Sequence, residues 1–254
     1  MKSFQKERIK VMSTSRILAI FAHPDDEYTF AGLITKFINS NNEVAFICAT
    51  KGEAGRIRNK NAGLNKDEAI SKVREKEFIS SCEHLKIHKY YFLDLIDGES
   101  LKWNKEEALE KIIEITKVFD PTHIISFDKY GGNGHPDHKE ISNISHEVHR
   151  KLKRTELIQI TKYPTSFAKN KLWWLPKKTK IKVMSKICRS DLNSYKIIKL
   201  NKQELKAKMK LIEIYKSQFP DEKNKYFGQP MTFLKLFGKY ECYEIDNESI
   251  LNEI

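Results

Sequence analysis

The sequence predicts an α/β protein with a Rossmann-like, mostly parallel sheet carrying helices on both faces, plus a basic excursion in its C-terminal half. Three observations lead there. Short apolar runs rich in β-branched and aromatic residues recur along the first half of the chain, as strands buried on both faces require. Stretches with apolar residues at helical spacing separate these runs, and such alternation builds a parallel sheet through helical crossovers. The excess positive charge, finally, is confined to one segment of weak periodicity.

The first strand is expected over residues 16–22 (RILAIFA) and the second over 43–50 (EVAFICAT), with a crossover helix over 29–39 between them. Residues 67–85 place Ala69, Ile70, Val73, Phe78, Cys82 and Leu85 at helical spacing, and a strand over 90–93 follows. A helix over 105–119 stops before Pro121, and 122–127 reads as the next strand. The second half gives a helix over 136–152, strands over 157–161 and 195–200, and a helix over 202–217 capped by Asn201. Between them, residues 163–191 hold two prolines and read as an excursion from the core. The expected organisation is a flexible segment over 1–15 and one domain over 16–254, with the basic, Trp-containing insertion at about 163–191.

Composition removes several classes. The 254 residues carry 46 Lys and Arg against 34 Asp and Glu, a net charge of +12. Between Arg150 and Arg189 there are 13 basic side chains and one acidic one, Glu156, so this segment holds the whole excess and the remainder is neutral. A hydrophobic content of 40% argues against broad disorder. No apolar run approaches the roughly 18 residues of a spanning helix, and the first residues lack the apolar core of a secretory signal. The expected location is the cytoplasm, with the basic segment allowing a peripheral place at the inner membrane face. Cys48, Cys82, Cys188 and Cys242 lie far apart without a CxxC, so no zinc ribbon or redox pair is indicated.

The chemistry gathers at two strand ends. The first strand runs into Ala22-His23-Pro24-Asp25-Asp26-Glu27, and a later one into Asp128-Lys129-Tyr130-Gly131-Gly132-Asn133-Gly134-His135-Pro136-Asp137-His138. In a parallel sheet both ends fall on the edge where ligands collect. Singly, an HxxH reads as a helix cap and an Asp-Asp-Glu as a helix N-terminal charge pattern. Together they offer three imidazoles and several carboxylates to one crevice. A catalytic zinc takes three such donors and keeps a fourth position open, and His23, Asp26 and His138 make that set. Iron(II) suits the same ligands. A metal of this kind acidifies water, and the neighbouring Asp25 is the candidate base. His135 stands beside it to stabilise an oxyanion or protonate a leaving amine. The glycines lack phosphate-loop spacing and serve to turn the chain.

AHPDDE at 22–27 and GHPDH at 134–138 resemble the two signature motifs of the LmbE-like, or PIG-L, zinc-dependent de-N-acetylases. That family includes the N-acetylglucosaminyl-phosphatidylinositol deacetylase and the deacetylases of the mycothiol and bacillithiol pathways. Weaker matches are Lys51-Gly52-Glu53-Ala54-Gly55, Arg74 and Glu77, Phe92-Leu93-Asp94 to Asp97-Gly98, and Lys216-Ser217-Gln218. The resemblance implies that His23, Asp26 and His138 bind the metal, that Asp25 is the general base and His135 the polarising or proton-donating histidine. It implies that Asp137 orients an imidazole, and that Glu53, Arg74 and Asp97 contact substrate. Some members carry a tyrosine in the glycine loop; here the corresponding places hold Asn133 and, further back, Tyr130.

The expected reaction is therefore removal of an acetyl group from an N-acetylglucosamine-type conjugate. A metal-dependent hydrolase of another amide or ester is the nearest alternative. A nucleic-acid-binding protein using the basic segment is a second, but it leaves both motifs unexplained, so no specific nucleic-acid partner is expected. Trp173-Trp174-Leu175-Pro176 among Lys169, Lys171, Lys177, Lys178, Lys180 and Lys182 suits an anionic membrane surface, or equally a lip over an anionic glycan.

Overall fold

A computed structural model describes residues 14–57, 68–172, 176–189, 195–219, 225–226, 229–230 and 237–245. Strand β1 (Arg16–Phe21) leads through a short 3₁₀ helix (Asp26–Phe30) into α1 (Ala31–Asn39) and β2 (Glu43–Thr50). Then come α2 (Ile70–Leu85), β3 (Lys89–Leu95), a 3₁₀ turn (Ser100–Lys102), α3 (Lys105–Phe119), β4 (His123–Phe127), α4 (Pro136–Leu152) and β5 (Glu156–Ile160). The second half adds β6 (Tyr163–Pro164), α5 (Thr165–Lys171), α6 (Lys177–Ile187), β7 (Cys188–Arg189), β8 (Lys196–Lys199) and α7 (Lys202–Ile214). The strands β9 (Lys225–Tyr226) and β10 (Gln229–Pro230) pair with each other, and β11 (Tyr240–Ile245) ends the described chain.

The main sheet has seven strands in the order β3-β2-β1-β4-β5-β11-β8. From β3 to β5 every pairing is parallel, whereas β11 runs antiparallel to both β5 and β8. The chain winds outward from β1 to β3 on one side and restarts with β4 on the other, so a crevice opens at the carboxyl ends of β1 and β4. Both motifs lie there. Every residue of β4 and all but the first of β1 and β2 are buried, which is why these strands read as unbroken apolar runs rather than alternating ones. Phe21 packs edge-on against Phe46 at 5.3 Å and Phe78 at 6.0 Å, which locks α2 onto the sheet.

The expected elements are present with small shifts. The helix expected to run to Ser217 stops at Ile214, and Tyr215 to Phe219 turn back towards the sheet. Asn201 caps α7 in a full capping box with Glu204. Strand β11 was not foreseen, and its insertion makes the far edge antiparallel. The basic excursion is more regular than expected: α5 and α6 are helices, and β6 and β7 pair in a separate sheet. It has a small core of its own, in which Ala168 and Leu172 pack with Phe237. Trp173 and Trp174, and the segment 1–13 expected to be flexible, lie outside the described residues. Cys48, Cys82 and Cys242 are buried and Cys188 half-buried, all as free thiols. No described helix is long and apolar enough to cross a membrane.

Candidate functional site

Past β1 the backbone folds sharply. Asp25 adopts φ 101°, a left-handed conformation that is costly for a residue with a side chain. Glu27 holds it there: one carboxyl oxygen accepts the Asp25 N–H at 3.0 Å, and the other accepts the hydroxyls of Ser81 and Tyr215. Glu27 is fully buried, and burial pushes its carboxyl up to about 7. The turn sends Asp25 and Asp26 different ways. Asp26 Oδ2 accepts the backbone N–H of His23 at 2.8 Å, which fixes the carboxylate beside the imidazole.

The second motif is delivered by the loop from β4 to α4. Gly131 and Gly132 adopt φ +68° and +58°, and a side chain at Gly131 would meet the Lys139 backbone and His138 Cβ at 2.8–2.9 Å. Pro136 occupies the first helical turn, and His135 caps the helix by accepting the Asp137 N–H on Nδ1 at 3.2 Å.

The two motifs meet closely. His23 Nδ1 lies 3.2 Å from His138 Nε2 and 3.5 Å from Asp26 Oδ2, while His138 Nε2 lies 3.1 Å from Asp26 Oδ1. Outer partners fix which nitrogens face each other. His138 Nδ1 sits 3.3 Å from the Gly131 carbonyl, which can only accept, so that nitrogen carries the hydrogen and Nε2 offers a lone pair. His23 Nε2 lies 3.0 Å from Asp97 and 3.1 Å from Asp137 and carries a hydrogen towards them, so Nδ1 is the nitrogen that faces His138 and Asp26. Two imidazole nitrogens and a carboxylate thus converge at separations of 3.1–3.5 Å, close to the edge of a tetrahedron around an ion with bonds of about 2.0–2.2 Å. A divalent cation fits this donor set, and the carboxylates behind His23 are the usual support for a metal-binding imidazole. The ligand atoms of His135 also lie within 4.8 Å of those of His23 and His138. Its Nδ1, however, is engaged as the helix cap.

Electrostatics follow from this crowding. Burial works against charge on His23, yet its hydrogen bonds to Asp137, Asp26 and Asp97 hold the imidazole well above its usual range. Burial likewise opposes ionisation of Asp26, but His138 and His23 outweigh it and keep the carboxyl far below the ordinary value. Asp25 behaves differently: burial pushes its carboxyl up to about 6 against the pull of Arg74, whose Nη2 lies 3.2 Å away. Burial and the neighbouring imidazoles lower His135.

These groups line a cavity of about 660 Å³. Asp25, Arg74 and Asp97 are on its wall; Glu53 is not, and its Oε1 accepts the Asp97 N–H at 2.8 Å. Arg74 is buried and donates to the carbonyls of Gly52 and Pro24, where a side chain at Gly52 would strike the guanidinium at 2.3 Å. Glu77 accepts the Ser217 N–H at 2.7 Å and its hydroxyl at 2.5 Å, which brings Gln218 to the cavity. Sequence reasoning missed the cavity's far wall: Lys162, Tyr163, Lys186, Lys208, Phe237 and Tyr240. It also missed the buried pair Lys208–Glu241 at 2.8 Å, in which Glu241 caps α1 through the N–H groups of Gly32 and Leu33. The one available signal was the helical period that places Lys208 on the inward face of α7 with Glu204, Leu211 and Ile212. Tyr130 does not line the cavity; it packs under Arg189.

A doubly wound α/β sheet thus gathers two histidines, a carboxylate and a flanking carboxyl at its switch point, and that arrangement is matched in a known family. The chain belongs to the PIG-L family, described as GlcNAc-PI de-N-acetylase, whose model matches residues 18–149. It is 37% identical over 125 residues to a probable N-acetyl-alpha-D-glucosaminyl L-malate deacetylase 2 of Bacillus subtilis, covering 48% of this chain and 55% of that protein. It is 28% identical over 134 residues to a probable N-acetylglucosaminyl-phosphatidylinositol de-N-acetylase of Schizosaccharomyces pombe, covering 50% and 49%. The chain thus spans about half the length of the curated relatives it matches. The fold is shared more widely: a zinc-inhibited form of the teicoplanin deacetylase Orf2 superposes with a TM-score of 0.63 at 17% identity, covering 91% of this chain and 97% of that one. An N,N'-diacetylchitobiose deacetylase from Pyrococcus horikoshii gives 0.59 at 20% identity, covering 92% and 84%.

Proposed function

We propose that this protein is a metal-dependent N-deacetylase acting on an N-acetylglucosamine-type conjugate, and that zinc is its metal, with iron(II) an alternative that suits the same donors. The observation that carries the reading is the convergence of His23 Nδ1, His138 Nε2 and the Asp26 carboxylate beside Asp25 and His135 in one cavity. His23, Asp26 and His138 would hold the ion, which when bound supplies a Lewis acid for the acetyl carbonyl and lowers the pKa of water. Asp25 takes the proton from the water that attacks the acetyl carbon. His135, with Nδ1 engaged by the Asp137 N–H, presents its Nε2 hydrogen to the developing oxyanion. As the C–N bond breaks, the sugar nitrogen gains a proton from His135 or from Asp25, leaving acetate and a free amine. Asp137 and Asp97 keep the His23 ring in register, and Arg74 holds Asp25 towards the cavity.

The rest of the conjugate extends over the far wall, where Lys162 and Lys186 favour an anionic aglycone. The test joins metal analysis of protein purified without chelator to acetate release from a panel of N-acetylglucosaminides, N-acetyl peptides and acetate esters. Stoichiometric metal and acetate from the glucosaminides are expected, with His138→Ala losing both. Metal-replete protein that cleaves only peptides or esters, or none of the panel, refutes the reading.

A further inference from the structure

The basic excursion touches the catalytic loop at one point. Asp128, at the end of β4, is fully buried and ionically paired: Arg189 Nη1 from β7 lies 2.6 Å from its Oδ2. The other oxygen, Oδ1, accepts the backbone N–H groups of Tyr130 at 3.0 Å and Gly132 at 2.9 Å. Those two N–H groups flank Gly131, whose own N–H is held by the Asp128 carbonyl at 2.7 Å and whose carbonyl faces His138 Nδ1. The guanidinium also stacks on the Tyr130 ring at 4.3 Å and reaches Glu244 of β11 at 3.5 Å. One planar cation therefore grips a carboxylate, a ring and a second strand. The carboxylate sets the turn, and the turn sets the hydrogen that chooses the His138 tautomer.

We propose that Arg189 is a positioning residue of the active site, acting through Asp128 and the Gly131 carbonyl on the orientation of His138. The inference rests on the assignment of His138 as a donor to the metal. It also means that the excursion, which lies outside the stretch matched by the family, is built into the catalytic loop rather than hung beside it. A structural tie alone would alter thermal stability and leave the donor set as it was.

The whole 254-residue chain is tested with Arg189→Gln, Arg189→Lys, Asp128→Asn and the double variant Arg189→Gln/Asp128→Asn. Lys117→Gln, an exposed site on α3, is the control. Zinc affinity is measured by competition with a chromophoric chelator, and kcat and KM for acetate release are measured separately. Arg189→Gln is expected to weaken zinc binding about 10-fold and lower kcat about 10-fold, with KM within about two-fold. Arg189→Lys, which keeps the charge without the fork, should recover part of both losses. The double variant should be no worse than the more affected single one, and the control should match wild type. Wild-type zinc affinity in Arg189→Gln, or a change confined to KM, overturns the proposal. If Arg189→Gln does not fold, the lysine variant decides by the same criteria, with an expected loss of about three-fold in affinity. Zinc affinity reads the clamp whatever the substrate proves to be, so absence of acetate from wild type would refute the proposed function and leave this result standing.

Discussion

The two halves of the sheet treat charge in opposite ways. From β1 to α4 the charged side chains that matter are buried, paired and aimed at one another, as in the contacts His23–Asp97, His138–Asp26 and Arg74–Asp25. From the end of α4 to β7 the chain carries the whole net charge, chiefly on half-buried or exposed lysines. A buried charge is costly unless its partner is in place, so the first half has a single workable arrangement. An exposed lysine costs little and moves freely, so the second half can vary what it meets without disturbing the chemistry. The architecture separates a fixed cluster of paired charges from an adaptable wall, with the Arg189–Asp128 pair joining them.

The sharpest way to break this contrast is to remove the proposed base, Asp25. Asp25→Ala should lower kcat about 10³-fold or more while bound metal, measured by elemental analysis, stays stoichiometric. Retained activity would show that the first half does not work as assigned. His135→Ala should cost less, about 10²-fold in kcat with metal retained, because it removes a donor to the oxyanion without touching the attacking water. A loss of metal instead would make His135 a ligand, which its distance from His23 and His138 allows.

Much of the first half was legible because two independent patterns coincide there. Unbroken apolar runs identify β1 and β4 as buried parallel strands, and polar motifs directly after them must then share one edge. The weaker matches could be noted but not placed, since only the fold brings Glu77 onto Ser217, 140 residues away, and Glu53 onto the Asp97 backbone. In the second half the decisive pairs cross long separations without a motif: Lys208 with Glu241 over 33 residues, Arg189 with Asp128 over 61. A lysine among many lysines announces nothing, and β11 (YECYEI) carries Glu241 and Glu244 three residues apart, so it matches neither an unbroken apolar run nor strand alternation.

Buried titration offers a third test, milder in effect. Burial pushes the Glu27 carboxyl from 4.5 up to about 7. Between those values the folded protein keeps a proton that the unfolded chain has released, so this group's contribution is present in full below pH 4.5 and is lost as pH rises towards 7. The slope is up to about 1.4 kcal/mol per pH unit. Urea melts of chelator-stripped protein at pH 5 and 7 should show the fall, and Glu27→Gln should show less of it. Equal slopes in the two proteins would remove Glu27 as the source.

The smallest expected effect concerns the adaptable wall itself. Lys162 and Lys186 line the cavity, one half-buried and the other exposed, and each would bring an ammonium to a ligand there. Such a contact at a half-exposed site is worth about 1 kcal/mol, which is several-fold in KM. The double variant Lys162→Gln/Lys186→Gln should therefore raise KM several-fold for an N-acetylglucosaminide with a carboxylate or phosphate on the aglycone, and leave kcat unchanged. The same variant should bind a neutral methyl glycoside as wild type does. Raising the salt concentration should erase the difference between wild type and variant, because charges this exposed are screened over about 8 Å at physiological ionic strength. Equal loss on the neutral glycoside would mean that the lysines shape the wall rather than read charge, and specificity would then have to reside in Tyr163, Phe237 and Tyr240, the aromatic part of the same surface.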